Sequence, residues 1–121
     1  MPKSGNLGKT GEAAAVKYLE NLGYTILEKN WRFKKLEVDI IARMGNIMAF
    51  AEVKTRSTDA FGEPEVFVTK HKQRFLIQAA NEYIRLTDFN GDARFDILAV
   101  LQDKQNLVVK HIPNAFYPSI I

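Results

Sequence analysis

The strongest constraint on the fold is a pair of strand-like runs joined by a tight turn. The runs are Glu37–Arg43 and Ile47–Arg56, and Gly45-Asn46 lies between them. Glycine as the first of two central residues suits a type II′ turn, so the runs predict an antiparallel β-hairpin. A two-residue loop makes Met44 the partner of Ile47, and the register of the whole hairpin follows from that pair.

This register predicts that ionisable residues meet across the hairpin. Asp39 lies directly opposite Glu52, and Glu37 lies directly opposite Lys54. Because side chains alternate along a strand, the four are expected on one face of the sheet. The other face is then core material, made of Val38, Ile40, Ala42, Ala49, Ala51 and Val53.

Two directly opposed carboxylates need a compensating group. With Cβ atoms about 4.5–5.5 Å apart, Asp39 and Glu52 repel by roughly 3 kcal/mol at an effective dielectric constant near 20. A retained proton or a divalent cation relieves this repulsion. Hard carboxylate oxygens favour Mg²⁺ or Mn²⁺ as that cation.

A surface ladder of salt bridges is the alternative interpretation of the same residues. In it, Asp39 and Glu52 each pair with Lys54 or Arg43 in solvent. The ladder accounts for Glu37 beside Lys54. It accounts poorly for Asp39 facing Glu52, because like charges opposed on a sheet are destabilising.

The remaining periodicity predicts a mixed α/β domain that covers residues 1–121. Its elements are a helix over 7–22, strands over Tyr24–Arg32, Glu37–Arg43 and Ile47–Arg56, a loop over Ser57–Pro64, a helix from the Thr69 cap to about Leu86, and strands over Arg94–Leu101 and Asn106–Ile112. The order is α-β-β-β-α-β-β. If the second helix is a crossover, the Arg94 strand runs parallel to the Ile47 strand, which gives a mixed β-sheet flanked by helices.

Composition excludes several classes of protein and site. The chain has no cysteine and two histidines, which excludes disulfide frameworks and thiolate metal sites and disfavours a histidine-rich zinc site. No apolar run approaches the roughly 20 residues of a membrane helix. The N-terminal segment MPKSGNLGKT has no apolar signal core, so we expect a cytoplasmic protein with no membrane partner.

Positive charge is concentrated in the middle of the chain. Residues 29–74 hold ten basic and six acidic side chains, a net charge of +4 against +3 for the whole sequence. The basic residues that we expect to contact phosphates are Arg32, Arg56, Lys70 and Lys72. A polyanion site and a solvated basic face both account for this segment.

Glu12 is a further candidate for the carboxylate cluster. It lies at the edge of the apolar stripe of the first helix, where Gly8 and Gly11 allow close approach to neighbouring elements. An anion favoured by the helix dipole is the other interpretation of Glu12. Carboxylates that hold a metal, with Lys54 on the same face, suit hydrolysis of a phosphodiester, because the metal activates water and the lysine stabilises developing charge.

These residues resemble a known pattern. Asp39, followed thirteen residues later by Glu52-Val53-Lys54, resembles the PD-(D/E)XK signature of the restriction-endonuclease-like fold. The flanking segments run in the order seen in the YraN-like family of bacterial endonuclease-like proteins: Gly8-Lys9-Thr10-Gly11-Glu12, Asn30-Trp31-Arg32, Glu37-Val38-Asp39-Ile40-Ile41-Ala42, Phe61-Gly62 and Arg94-Phe95-Asp96. The chain is identified as a member of that family.

The resemblance implies a site and a substrate. Members of the family are similar to archaeal Holliday junction resolvases, which implies a DNA endonuclease that uses Mg²⁺ or Mn²⁺. The implied catalytic residues are Glu12, Asp39, Glu52 and Lys54, and the implied metal ligands are Asp39, Glu52 and the carbonyl of Val53, with Glu37 auxiliary. A homodimer is implied because resolvases cut two strands symmetrically. Two positions depart from the pattern: Val38 replaces proline, and Leu36 stands where the family usually has glycine.

Other functions compete with the nuclease. A nucleic-acid-binding or adaptor protein that keeps the fold without catalysis is supported by aromatic residues interleaved with the basic ones, namely Trp31, Phe33, Phe61 and Phe67. A metabolic phosphoesterase ranks last, because no loop for a small ligand is recognisable. Ala49 and Phe50 are expected in the core, and the tail Phe116–Ile121 suits core or interface.

Overall fold

The structure is a computed structural model that describes residues 4–57, 68–104 and 106–117. Its elements are α1 (Ser4–Leu22), β1 (Thr25–Phe33), β2 (Leu36–Met44), β3 (Ile47–Ser57), α2 (Lys70–Thr87), β4 (Asp92–Asp103) and β5 (Asn106–Phe116). The predicted order α-β-β-β-α-β-β is confirmed. The predicted loop Ser57–Pro64 lies outside the described residues except for Ser57, and so do Phe61 and Phe67.

The five strands form one mixed sheet in the order β1-β2-β3-β4-β5. Strands β3 and β4 are parallel, as predicted, and the other neighbours are antiparallel. Helix α2 is the crossover between the two parallel strands. The predicted fold class, a restriction-endonuclease-like mixed sheet flanked by helices, is therefore confirmed.

Each face of the sheet is covered by one helix, so the core has two layers. The α1-side core contains Ala15, Leu19, Tyr24, Ile40, Ala42, Ala49, Ala51, Leu98 and Val100. The α2-side core contains Val38, Ile41, Met48, Phe50, Val68, Leu76, Ala79, Ala80, Tyr83, Phe95 and Ile97. Consecutive apolar residues along the central strands supply both layers, because successive side chains of a strand point to opposite faces of the sheet.

Strand β4 is the most deeply buried element. All six residues from Phe95 to Val100 are buried, which confirms the strand predicted from the apolar run Arg94–Leu101. Ala49 and Phe50 lie in the core, as expected. In the tail, Phe116 stacks on Phe95 with ring centroids 5.1 Å apart, and residues 118–121 lie outside the described part of the chain.

Local signals in the sequence account for the element boundaries. The Thr69 hydroxyl accepts a hydrogen bond of 3.2 Å from the backbone N–H of Lys72, which caps α2 as predicted. Gly23 ends α1 with φ +108, and Gly45 has φ +61 in the β2–β3 turn. Helix α1 begins at Ser4, three residues before the predicted start.

Neither helix of the described part of the chain is long and apolar enough to cross a membrane.

Chain direction brings three features to one end of the sheet, here called the upper end, where β2 begins and β3 ends. The β1–β2 turn lies there because Phe33 pairs with Leu36. The N-terminus of α2 lies there because α2 follows β3. Helix α1 leads into the lower end of β1, and its Gly11 lies against Thr55 near the upper end of β3.

Candidate active site

The ladder between β2 and β3 ends before the upper end of the sheet. The predicted hairpin register is confirmed for five pairs, the last of which joins Ile40 and Ala51. The next predicted pair, Asp39 with Glu52, is not formed. Instead, Asp39 Oδ2 accepts a hydrogen bond of 2.8 Å from the backbone N–H of Val53. The carboxylate of Asp39 thus bonds to the β3 backbone where a ladder pair was expected.

The alternation of side chains along β2 is broken at Asp39. Val38 belongs to the α2-side core, whereas Ile40 and Ala42 belong to the α1-side core. The prediction that these three apolar residues share one face is therefore wrong for Val38. The break has a counterpart on β1, because Asn30, which lies across from Asp39, has φ +52. Both strands leave regular geometry at the same level of the sheet.

The break also separates Glu37 from Lys54. Leu36 and Val38 pack against the α2-side core, so Glu37 between them faces the α1 side. There Glu37 forms an ion pair with Arg32, with 3.6 Å between its Oε1 and an Nη atom of the arginine. Lys54 faces the α2 side. The predicted Glu37–Lys54 pair is wrong, and so is the placement of all four ionisable residues on one face.

Glu52 is paired with a lysine from α2. Alternation from Phe50, which is buried in the α2-side core, places Glu52 on the same side as Lys54. Lys72 Nζ lies 3.8 Å from Glu52 Oε1, and only 13% of the Glu52 side chain is exposed. Lys72 was predicted as a phosphate contact, and the structure places it against a candidate metal ligand.

Glu12 approaches the same place from α1. Asn30 Nδ2 donates a hydrogen bond of 3.1 Å to Glu12 Oε1. The approach depends on Gly11, because a Cβ atom there would lie 3.0 Å from Thr55 Cγ2 and 3.2 Å from Thr55 Cβ. Asn30 was not predicted as a site residue. The sequence does offer one signal for Asn30, because asparagine tolerates a positive φ better than most residues.

The surroundings of Asp39 disfavour its negative charge. Burial raises the pKa of Asp39 above its usual value of 3.8, and the hydrogen bond from the Val53 N–H opposes this rise. The negative charges of Glu12 and Glu37 raise the pKa further, while the ammonium of Lys72 lowers it. The Glu12 and Glu37 carboxylates are thus close enough to Asp39 to affect its ionisation.

Glu52 behaves in the same way. Burial raises its pKa above the usual 4.5, and the charge of Asp39 raises it further. The ammonium groups of Lys72 and Lys54 act in the opposite direction, and Glu37 adds a smaller upward effect. Two lysines therefore offset only part of the cost of holding these carboxylates together, and a divalent cation would offset more.

The donor set fits a hard divalent cation. Within residues 4–57, 68–104 and 106–117, no three Asp, Glu, His or Cys side chains lie close enough together to bind a metal by themselves. The candidate ligands are instead two carboxylates, from Asp39 and Glu52, and one backbone oxygen. The Val53 N–H points to Asp39, and a strand residue directs its C=O to the same side as its N–H, so the Val53 carbonyl faces the same gap. Three oxygen donors suit Mg²⁺ or Mn²⁺.

The other predicted phosphate contacts are exposed residues for which the structure gives other partners or positions. Arg32 is 72% exposed beside Glu37. Arg56 is exposed and donates a hydrogen bond of 2.9 Å to the Thr55 carbonyl. Lys70 is exposed at the first residue of α2. All three lie at the upper end of the sheet, so the structure brings the basic residues and the carboxylates together at one end.

Comparison with known proteins identifies the family of the chain. A family model described as an uncharacterised protein family, UPF0102, matches residues 11–100. A UPF0102 protein of Flavobacterium psychrophilum is 44% identical over 117 residues, which cover 97% of this chain and 98% of that protein. One of Bacteroides thetaiotaomicron is 42% identical over 120 residues, or 99% of both chains. The chain therefore belongs to the UPF0102 family, the YraN-like family that its motifs resemble.

Proposed function

We propose that this protein is a metal-dependent DNA endonuclease that hydrolyses phosphodiester bonds. One observation carries the proposal: Asp39 and Glu52, whose burial disfavours their charge, meet beside two lysines at the basic end of the sheet. Such a cluster is costly for stability and is expected where a site is built to bind a ligand. The resemblance to the PD-(D/E)XK signature supports the same conclusion.

Asp39, Glu52 and the Val53 carbonyl would hold Mg²⁺ or Mn²⁺. When bound, such a metal polarises a phosphate oxygen and lowers the pKa of a water molecule. The Val53 N–H keeps the Asp39 carboxylate oriented toward β3. This bond comes from the backbone of a strand, so it fixes the ligand without a mobile side chain.

Two lysines have different roles in the proposal. Lys54 projects from β3 on the same side as Glu52 and stabilises the negative charge that builds on the phosphate during attack. Lys72 is paired with Glu52 and offsets the charge of the carboxylates before a cation binds. Its second predicted role, contact with a phosphate of the substrate, requires the ion pair with Glu52 to open.

Two further carboxylates complete the site. Glu12 is held by Asn30 on the α1 side and orients a water molecule toward the phosphate beside Asp39. Glu37 is auxiliary, because it is already paired with Arg32. The proposal includes a homodimer, which follows from the resemblance to resolvases and would let two strands be cut in one complex. Light scattering of the purified protein would test the homodimer.

Cleavage of defined DNA tests the proposal. The protein is incubated with Mg²⁺ or Mn²⁺ and labelled duplex, single strand, flap and four-way junction. Asp39→Asn and Glu52→Gln remove one charge each with little change in shape, and Asp88→Asn is the matched control at the lower end, where Asp88 caps α2. We expect cleavage by the wild type and the control, and a loss of at least about 100-fold in the two site variants.

The same experiment separates the nuclease from a binding protein. The basic residues at the upper end also favour a nucleic-acid-binding or adaptor role without catalysis. Absence of metal-dependent cleavage on every substrate, with DNA binding intact, would support that role and refute the nuclease. Cleavage that persists in Asp39→Asn at the wild-type rate would show that the activity arises elsewhere.

A further inference from the structure

The turn between β1 and β2 carries two lysines beside the candidate active site. Phe33 pairs with Leu36 at the upper end of the β1–β2 ladder, so Lys34 and Lys35 are the two loop residues. Both lysines are exposed. The strand that leaves this turn leads directly to Asp39, so the turn and the carboxylate site share one rigid element.

Lys34 takes a backbone conformation that glycine adopts at lower cost. Its φ is +57, and Gly45 has φ +61 at the equivalent place in the other two-residue turn of this hairpin pair. For a residue with a Cβ atom, the left-handed conformation costs roughly 1–2 kcal/mol. The chain therefore carries a lysine where a glycine would form the turn more easily.

A series of aromatic rings holds the turn against the core. Phe33 stacks on Trp31, with centroids 6.2 Å apart and planes 9° apart. Trp31 and Tyr83 of α2 form a T-shaped pair, with centroids 5.1 Å apart. Lys34 Nζ lies 5.4 Å from the centre of the Phe33 ring. These contacts brace the turn and fix where its lysines are presented.

The charge of the turn complements a polyanion. Between Arg32 and Glu37 the sequence has three basic residues and one acidic residue, and that acidic residue is paired with Arg32. The neighbouring carboxylate cluster repels phosphates. Cations next to it are therefore needed to hold a phosphate backbone at the site before chemistry.

We propose that the β1–β2 turn binds the DNA backbone, with Lys34 and Lys35 on phosphates that flank the one at the carboxylate site. That the polyanion is DNA rests on the proposed function. Lys35 precedes Asp39 by four positions in the chain, a distance of roughly 13 Å in an extended strand. Backbone charges of one DNA strand repeat every 3.4 Å of helix axis, so a displacement of roughly 13 Å along that axis places the turn about four nucleotides from the carboxylate site.

A matched pair of variants tests this role. Lys104 also has a positive φ, +60, in the two-residue β4–β5 turn, where Asp103 pairs with Asn106. That turn lies about three strand spacings, roughly 14 Å, from the β1–β2 turn. Lys34→Gly and Lys104→Gly each remove one exposed lysine and relieve the same backbone strain. Neither substitution is therefore expected to lower Tm.

The experiment is DNA binding by the full chain in EDTA, measured by fluorescence anisotropy with a labelled duplex and a four-way junction over a range of salt concentrations. We expect Lys34→Gly to weaken binding about 3- to 10-fold and to reduce the slope of log K against log salt by about one. Lys104→Gly should change affinity less than 2-fold. Wild-type affinity in Lys34→Gly, or equal losses in both variants, would overturn the inference. Failure of the nuclease proposal is a separate result, namely intact binding without cleavage when Mg²⁺ is supplied.

Discussion

The backbone N–H of Val53 donates a hydrogen bond of 2.8 Å to Asp39 Oδ2, just beyond Ile40 and Ala51, the last pair of the β2–β3 ladder. In a regular hairpin, a backbone carbonyl would accept at this level. Here a carboxylate accepts, and the regular alternation of β2 side chains between the two faces of the sheet is interrupted at Asp39. The contact therefore lies where the ladder ends and orients the Asp39 carboxylate toward the β3 backbone.

Ionisation of Asp39 is expected to destabilise the fold. Its folded-state pKa is raised above 3.8, so the folded protein binds more protons than the unfolded chain just above that pH, and stability falls as pH rises through this window. Asp39→Asn stays neutral and its amide oxygen still accepts from Val53. We expect the variant to be more stable than wild type near pH 7, by about 1.4 kcal/mol for each unit of pKa elevation, and equal near pH 3.

Urea unfolding at the two pH values measures this difference. Asp88→Asn is the control, because it makes the same chemical change at the C-cap of α2, at the lower end of the sheet. An Asp39→Asn protein that is less stable than wild type near pH 7 would contradict the expectation.

Close contact between α1 and β3 decides the effect of Gly11→Ala. In an exposed helix interior this change would stabilise by about 1 kcal/mol. Here the new Cβ atom would lie 3.0 Å from Thr55 Cγ2 and 3.2 Å from Thr55 Cβ, and rotating the threonine side chain moves Cγ2 but leaves the tight contact with Cβ. We expect a loss of about 1–3 kcal/mol and weaker cleavage, because the helix that carries Glu12 must move.

A double-mutant cycle with Thr55→Ala tests this cause by chemical denaturation. The smaller side chain should restore part of the stability, with a coupling energy of about 1 kcal/mol or more between the two positions. Additive effects of Gly11→Ala and Thr55→Ala would show that the contact is not responsible.

The ion pair between Lys72 and Glu52 should oppose metal binding in the absence of DNA. The Lys72 Nζ atom lies 3.8 Å from Glu52 Oε1, and the Lys72 side chain is 42% exposed. Solvent therefore screens much of the attraction between the two charges. Lys72→Gln should therefore bind Mn²⁺ only about 2- to 5-fold more tightly by calorimetry at low ionic strength. Lys70→Gln, which removes an exposed charge two residues away, should leave the affinity unchanged. Weaker Mn²⁺ binding by Lys72→Gln would argue that the lysine organises the site instead of competing with the metal.

A buried ionic cluster links β4 to β5 and to Tyr24, which lies between α1 and β1. Asp96, which is 1% exposed, accepts hydrogen bonds of 2.9 and 2.7 Å from Arg94 and one of 3.2 Å from the Asn114 N–H. His111 Nε2 lies 2.8 Å from Asp96 Oδ2, and Arg94 also bonds the Tyr24 hydroxyl. Burial alone would raise the pKa of Asp96, but the bonds from His111 and Arg94 hold it below its usual value.

Removal of Asp96 is expected to be costly. Asp96→Ala leaves the guanidinium of Arg94, only 16% exposed, without its carboxylate, so we expect a loss of about 3–5 kcal/mol in urea unfolding. Glu82→Ala, which breaks the exposed pair with Arg85, should cost about 0.5 kcal/mol or less. The stabilisation that the ionised Asp96 carboxylate provides is present above pH 3.8 and is lost as the pH falls below that value. Similar losses in the two variants would contradict the special role of Asp96.

Short-range signals in the sequence were sufficient to predict the helices and strands and much of the β2–β3 register. The Gly45 turn placed five hairpin pairs correctly, the apolar run to Leu101 marked the buried strand, and Thr69 marked the start of α2. Each depends on backbone conformation or on periodicity within a few residues, which is what a single sequence encodes locally. The catalytic roles of Glu12, Asp39, Glu52 and Lys54 stay predictions.

The arrangement of the site depended on contacts between elements. Strict alternation placed Asp39 opposite Glu52 and on one face with Glu37, but a hydrogen bond from β3 to the Asp39 side chain replaced a ladder pair and reversed the alternation. No local pattern encodes that exchange, because a carboxylate and a carbonyl compete for the same N–H only after the strands pair. The sequence by itself thus determined which strands form and which residues are near the site. Packing of α1, α2 and β3 around the break decided which side chains meet, since those contacts join residues far apart in the chain.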